Sequence, residues 1–211
     1  MIRLVKLYPK HLNLNGDIAN VDVLARFFEH RGLPVEVITV EKGAVLPSSL
    51  DFVLIGHGSI AAWNDLDSDW PRLQEQLALA KDSGVVIFAV ASGFQKLASD
   101  SNDSVFNLVD EPTNHVSKFV VAALGDASAL GYKNSSSSLP DLACDGSAYG
   151  TLLHGPVLSR SPQLLELVAE AIANHAGFNI GPVLDEKRNE ADHLADLVKS
   201  VWDLEEELAR E

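Results

Sequence analysis

The chain predicts a doubly wound α/β fold on a mainly parallel sheet flanked by helices, and three observations carry that prediction. Short apolar runs alternate with stretches of helical periodicity through the first half of the sequence. One such run, Val85–Val90, passes through Ala91-Ser92-Gly93 into an amphipathic stretch with Gln95 and Leu97, the outline of a strand, a sharp turn and a helix. Finally, 211 residues at 46% hydrophobic content bury one substantial core but are short for two full domains. In an open parallel sheet, functional groups gather at the carboxyl ends of the strands.

Taken in order, Ile2–Leu7 reads as a first strand. Asp17 stands as an N-cap, and Ile18, Val21, Leu24, Ala25 and Phe28 then recur at helical spacing until Gly32. Pro34–Val40 alternates as a strand does, and Phe52–Ile55 is a short buried strand ending in Gly56-His57-Gly58-Ser59. Helical spacing returns over Trp70–Lys81 and closes at Gly84, before strand Val85–Val90 and its turn.

Past residue 100 the pattern changes. Ser99–Ser104 reads as polar loop, Val116–Leu124 as a strand, and Gly131–Pro140 as a serine-rich turn region of mobile composition. Tyr149–Leu158 reads as a strand with His154 near its middle, and Pro162–Ala176 as a helix capped by Ser161. These elements form one domain over residues 1–180. An acidic helical extension, 181–211, follows, in which Leu194, Leu197, Val201, Leu204 and Leu208 make a heptad-like stripe. The expected arrangement packs that stripe on its own domain; the alternative is an intermolecular coiled coil that makes a homo-oligomer.

Composition excludes several functions. Apolar runs fall far below the roughly 18 residues of a membrane span, and the charged, structured N-terminus is unlike a signal peptide, so a soluble cytoplasmic protein is expected. A formal net charge of −14 opposes attraction to nucleic acid or anionic lipid. The single cysteine, Cys144, excludes an internal disulfide and multi-cysteine metal sites. It lies in a loop-like stretch, and its acidic neighbours raise the thiol pKa, so it reads as unreactive. No cofactor or metal is indicated.

Four segments meet if the fold is as described: Asn13-Leu14-Asn15-Gly16-Asp17, Gly56-His57-Gly58-Ser59, the turn at Ala91, and His154 within Gly150-Thr151-Leu152-Leu153-His154-Gly155-Pro156. Each alone is a weak signal, since a histidine on a strand is commonly a packed one and glycines after a strand commonly mark a turn.

Together they resemble the cobyric-acid-synthase-like class I glutamine amidotransferases, most closely the glutaminase subunits of lipid II isoglutaminyl synthase. The resemblance rests on Leu7-Tyr8-Pro9 with Asn13, Gly16-Asp17 and Asn20, on Ala89-Val90-Ala91-Ser92-Gly93-Phe94-Gln95 against the family's Ala-Ile-Cys-Gly-Gly-Tyr-Gln, and on Gly150–Leu158 against its histidine motif. It implies a flavodoxin-like fold and a site in which His154 takes the base position. Amides near Gly58 and Ser92, beside Gly93, take the oxyanion positions, and Gln95 matches the family's glutamine. Ala91 stands where the family has its nucleophilic cysteine. The partner implied is a Mur-ligase-like, ATP-dependent synthetase, and the small molecule is glutamine.

Ser92 is a poor substitute nucleophile. The tight turn tolerates only small residues two before and two after its apex, which fits Ala89 and Gly93 around Ala91 but not Val90 and Phe94 around Ser92. Two accounts of Ala91 remain: an engineered cysteine-to-alanine change in an active glutaminase, of the cell-wall or the cobyric-acid type, or natural loss of the reaction in a subunit that binds or regulates. Further departures favour natural loss. The family's Gly-Gly-Gly-Gln-Asp is here Gly56-His57-Gly58-Ser59-Ile60, Ser92 replaces a glycine, and the family's Glu-Asn-His is reduced to Lys133-Asn134-Ser135.

Overall fold

A computed structural model describes residues 1–99 and 104–210. A six-stranded sheet lies at its centre. Strand β1 (Ile2–Leu7) is followed by helix α1 (Ala19–Glu29), β2 (Val35–Val40), β3 (Phe52–Ile55), α2 (Ile60–Leu66), α3 (Trp70–Asp82), β4 (Val86–Val90) and α4 (Ser92–Leu97). Two short strands, β5 (Ala98–Ser99) and β6 (Phe106–Asn107), pair with each other. A long hairpin of β7 (Pro112–Leu124) and β8 (Ala127–Ser137) precedes β9 (Leu142–Asp145), β10 (Ala148–Thr151), β11 (Leu153–His154), α5 (Val157–Arg160) and α6 (Pro162–His175). A single 3-10 turn leads into α7 (Arg188–Arg210). Among the described residues, no helix is long and apolar enough to cross a membrane.

The sheet order is β2-β1-β3-β4-β10-β9, parallel except for the antiparallel edge pair β9/β10. This is the flavodoxin-like order, whose reversal between β1 and β3 opens a crevice at the carboxyl ends of those strands. Both faces are covered, which is why the central strands read as continuous apolar runs. Ile2, Leu4, Leu54, Phe88 and Val90 pack with α1 and α6 through Leu24, Phe28, Val168 and Ile172. Val5, Leu7, Val53, Ile55 and Ile87 pack against Trp63, Leu66, Leu73 and Leu77 of α2 and α3.

Several expectations need correction. Asp17 does not cap α1: the cap position is Ile18, without a side-chain bond, and the Asp17 carboxylate turns inward. The serine-rich stretch is not a turn region but most of β8, paired with β7 from Leu124↔Ala127 to Pro112↔Ser137. Its side chains carry no strand pattern, so backbone pairing to β7 decides. The expected strand Tyr149–Leu158 is broken into β10, β11 and α5. The chain leaves the central sheet at Leu152, and His154 pairs with Tyr132 of the hairpin. Cys144 lies on edge strand β9 rather than in a loop, and burial of its sulfur and then Asp145 raise the thiol pKa. Of the expected Ser99–Ser104 loop, residues 100–103 lie outside the described residues, and Ser99 belongs to β5.

The terminal helix also differs. It is tied to the body by Leu184 N–H donating to the His30 carbonyl (2.8 Å) and by Arg26–Glu190 (3.1 Å) and Arg160–Glu205 (3.2 Å) ion pairs. The face turned to the body carries Leu194, Val198 and Trp202, so the expected stripe meets the body at Leu194, whereas Leu197, Val201, Leu204 and Leu208 are exposed, from 40% at Val201 to 65% at Leu204.

Candidate functional site

The crevice is built on the end of β4. The backbone reverses at Ala91 with φ 49 and ψ −114, a left-sided conformation that costs a residue with a Cβ on the order of 1–3 kcal/mol. Three contacts hold it there. Ala91 N–H donates to the Thr151 carbonyl (2.7 Å), Gln95 N–H donates to the Ala91 carbonyl (3.0 Å), and Gly93 is pressed onto β3. A Cβ at Gly93 would lie 2.7 Å from the carbonyl oxygens of Ile55 and Gly56, so only glycine lets α4 start this close. The Ala91 methyl is buried and carries no titratable or nucleophilic group.

The loop after β3 lies against this turn. Gly58 N–H donates to Ser92 Oγ (3.0 Å), and Trp63 Nε1–H donates to the same oxygen (2.8 Å). His57 Nδ1 lies 2.8 Å from Ser92 Oγ and accepts the Ser92 N–H at 3.3 Å. Burial, and secondarily the charge of His154, push the His57 pKa down to about 4. His57 is therefore neutral at pH 7, with Nδ1 as its acceptor, and the Ser92 hydroxyl proton can point to it. Two donors then sit on the lone pairs of Ser92 Oγ, and its hydroxyl has the Gly58 carbonyl (3.1 Å) as a second acceptor. The amides of Gly58 and Ser92, which face the turn, are both capped by side chains.

His154 completes the wall. Its ring meets that of His57 edge to face, with centroids 4.8 Å apart. Its Nδ1 is bonded to Asn15 Nδ2 (2.7 Å) and its Nε2 to the Asn134 carbonyl (3.3 Å), so both nitrogens are engaged by neighbours other than the turn. Beneath it, the buried Asp17 carboxylate accepts N–H groups from His57 (3.0 Å) and Gly155 (3.1 Å), and its pKa is raised by burial against the effect of those bonds. Asn20 continues the clamp, accepting Leu158 N–H at 2.9 Å and donating to the Gly155 carbonyl at 3.3 Å.

Of the residues singled out from sequence, the structure brings Gly58, Ala91, Ser92, Gly93 and His154 to one crevice. Gln95 lies one turn along α4, but its amide donates to Asp110 (3.0 Å), at the base of the hairpin. Sequence reasoning missed Trp63 and Asn134 as neighbours and misassigned Asp17. It noted His57 without a role. Nothing local could have paired His57 with Ser92, which lies thirty-five positions away.

No protein-family model matches the sequence, and no curated protein sequence matches it. Solved structures do. A glutamine amidotransferase from Thermotoga maritima superposes with a TM-score of 0.53 at 13% identity, over 99% of this chain and 95% of that one. A further solved glutamine amidotransferase gives 0.52 at 15% identity, over 80% and 98%. PurLQS from Thermotoga maritima gives 0.50 at 14%, over 83% and 99%. The fold is thus of the glutamine amidotransferase-like, flavodoxin-like class, and at these identities the likeness concerns the fold.

Proposed function

We propose that this chain is a non-catalytic counterpart of an ammonia-supplying glutaminase subunit, acting as a binding or regulatory subunit of a synthetase. The observation that carries this reading is the capping of the Gly58 and Ser92 amides by the side chains of Ser92 and His57. A glutaminase needs a nucleophile at the apex of the turn and free N–H groups for the tetrahedral oxyanion. Here the apex is Ala91, and the side chains at the two positions where the resembling family has glycine bond each other over the donors. Changing one catalytic residue at the bench would leave the donors free, so coordinated filling supports natural loss over an engineered alanine.

By resemblance to the glutaminase of lipid II isoglutaminyl synthase, the partner is a Mur-ligase-like synthetase that activates a carboxylate with ATP. The T. maritima glutamine amidotransferase and PurLQS supply the fold-level support for a glutaminase-type scaffold. The test is ammonia release from glutamine by the protein and by Ala91→Cys. Both are expected at the level of buffer, and turnover by Ala91→Cys alone overturns the reading. Co-purification with a Mur-ligase-like synthetase from the same cells tests the partner separately, and failure to associate removes that partner without restoring catalysis.

A further inference from the structure

A cavity lies away from the crevice, between α7 and the body, with a volume of about 600 Å³, within the range of small-molecule sites. Its walls are apolar and come from three sides: Val23 and Phe27 of α1, Leu158 and Leu165 of α5 and α6, and Val198 and Trp202 of α7. It follows α7 from Ala191 to Trp202, about 16 Å at the rise of a helix. That shape fits an extended chain better than a compact ring.

Its charge is unlike that of the molecule. In a chain of net charge −14, the charged lining residues are Arg26, Arg31 and Lys199, joined by His30, and among the described residues no carboxylate lines the cavity. Arg26 and Lys199 are neutralised from outside the lining, by Glu190 (3.1 Å) and Asp203 (2.7 Å). Arg31 is not. Its guanidinium stacks 3.6 Å over the Phe27 ring and donates one bond to the Phe27 carbonyl (3.0 Å), and among the described residues it forms no ion pair. Its other N–H groups, in a fork suited to a carboxylate, are left for a ligand. Burial lowers its pKa against the through-space pull of Glu166, the direction expected of a cation lacking a close anion.

We propose that this cavity binds a long-chain fatty acid, its carboxylate on the Arg31 guanidinium and its alkyl chain along Phe27, Leu165, Val198 and Trp202 beneath α7. The assignment is independent of the reading of the Ala91 crevice. Helix α7 roofs the cavity, tied at its edges by the Arg26–Glu190 and Arg160–Glu205 ion pairs, and has no fully buried residue.

Titration of the intact protein with palmitate, octanoate and hexadecanol, followed by calorimetry, tests the proposal. Palmitate is expected to bind one to one, at least about tenfold more tightly than octanoate, because apolar burial scales with chain length. It is also expected to bind at least about tenfold more tightly than hexadecanol, which lacks the charge. Arg31→Gln should weaken palmitate by about tenfold and leave hexadecanol unchanged. Val198→Trp, which partly fills the cavity across the path of the chain, should weaken binding of both by at least about tenfold, and Ala195→Phe at the exposed rim serves if Val198→Trp does not fold. Absence of palmitate binding, equal affinity for palmitate and hexadecanol, or binding indifferent to the filling variants overturns the proposal.

Discussion

Ser92 Oγ joins three elements: it takes N–H groups from Gly58 after β3 and Trp63 of α2, and it faces the His57 ring while its own residue begins α4. Ser92→Ala removes one atom and leaves buried donors without partners, so it should cost about 1–3 kcal/mol in denaturant unfolding, more than a serine of ordinary exposure. His57 gives a pH signature. Its folded pKa of about 4 lies below the ordinary value of 6.5, so the unfolded chain takes up its proton first as pH falls. This contribution is fully present above pH 6.5 and is lost as pH drops toward 4. Unfolding midpoints at pH 7 and pH 4.5 should therefore differ less in His57→Gln than in the unsubstituted protein. Neither role could be read in the chain. His57 and Ser92 are visible separately, but their bond depends on two strand ends meeting in space.

The run from Val85 to Gln95 was legible because its signals are local: an unbroken apolar strand, small residues at 91 to 93, and an amphipathic restart. The same holds for β1, α1 and α3, whose apolar spacing decides their faces. The hairpin was not legible, because β8 carries Lys133, Asn134 and Ser135–Ser137 without alternation and is a strand through its pairing with β7. Nor was the inward turn of Asp17, since an aspartate before a helical run looks like a cap until its carboxylate is seen holding His57 and Gly155. Asp17→Ala leaves two N–H groups unpaired, and a loss of about 2 kcal/mol or more is expected from equilibrium unfolding. On α7 the two apolar faces should behave differently. Leu204→Ser, on the exposed stripe, should change stability by less than about 0.5 kcal/mol, whereas Trp202→Ala, on the face toward the body, should destabilise clearly more.

At the scale of the molecule, a sheet covered on both sides presents the loops after β1, β3 and β4 at the carboxyl ends of its strands, where Asp17, His57 and the turn at Ala91 meet. The architecture is glutamine amidotransferase-like, and at the end of β4 the Gly58 and Ser92 amides are bonded to side chains. On the proposed reading, His57 and Ser92, as well as the lack of a nucleophile at Ala91, stand between this scaffold and glutamine hydrolysis. Ammonia release by Ala91→Cys compared with Ala91→Cys/His57→Gly/Ser92→Gly addresses it directly, with folding of both checked by their melting curves. Uncapping donors of this kind is worth on the order of 10²–10³ in rate where a nucleophile is present. Measurable turnover is expected only in the triple variant. Equal turnover in the single and triple variants refutes the role given to His57 and Ser92.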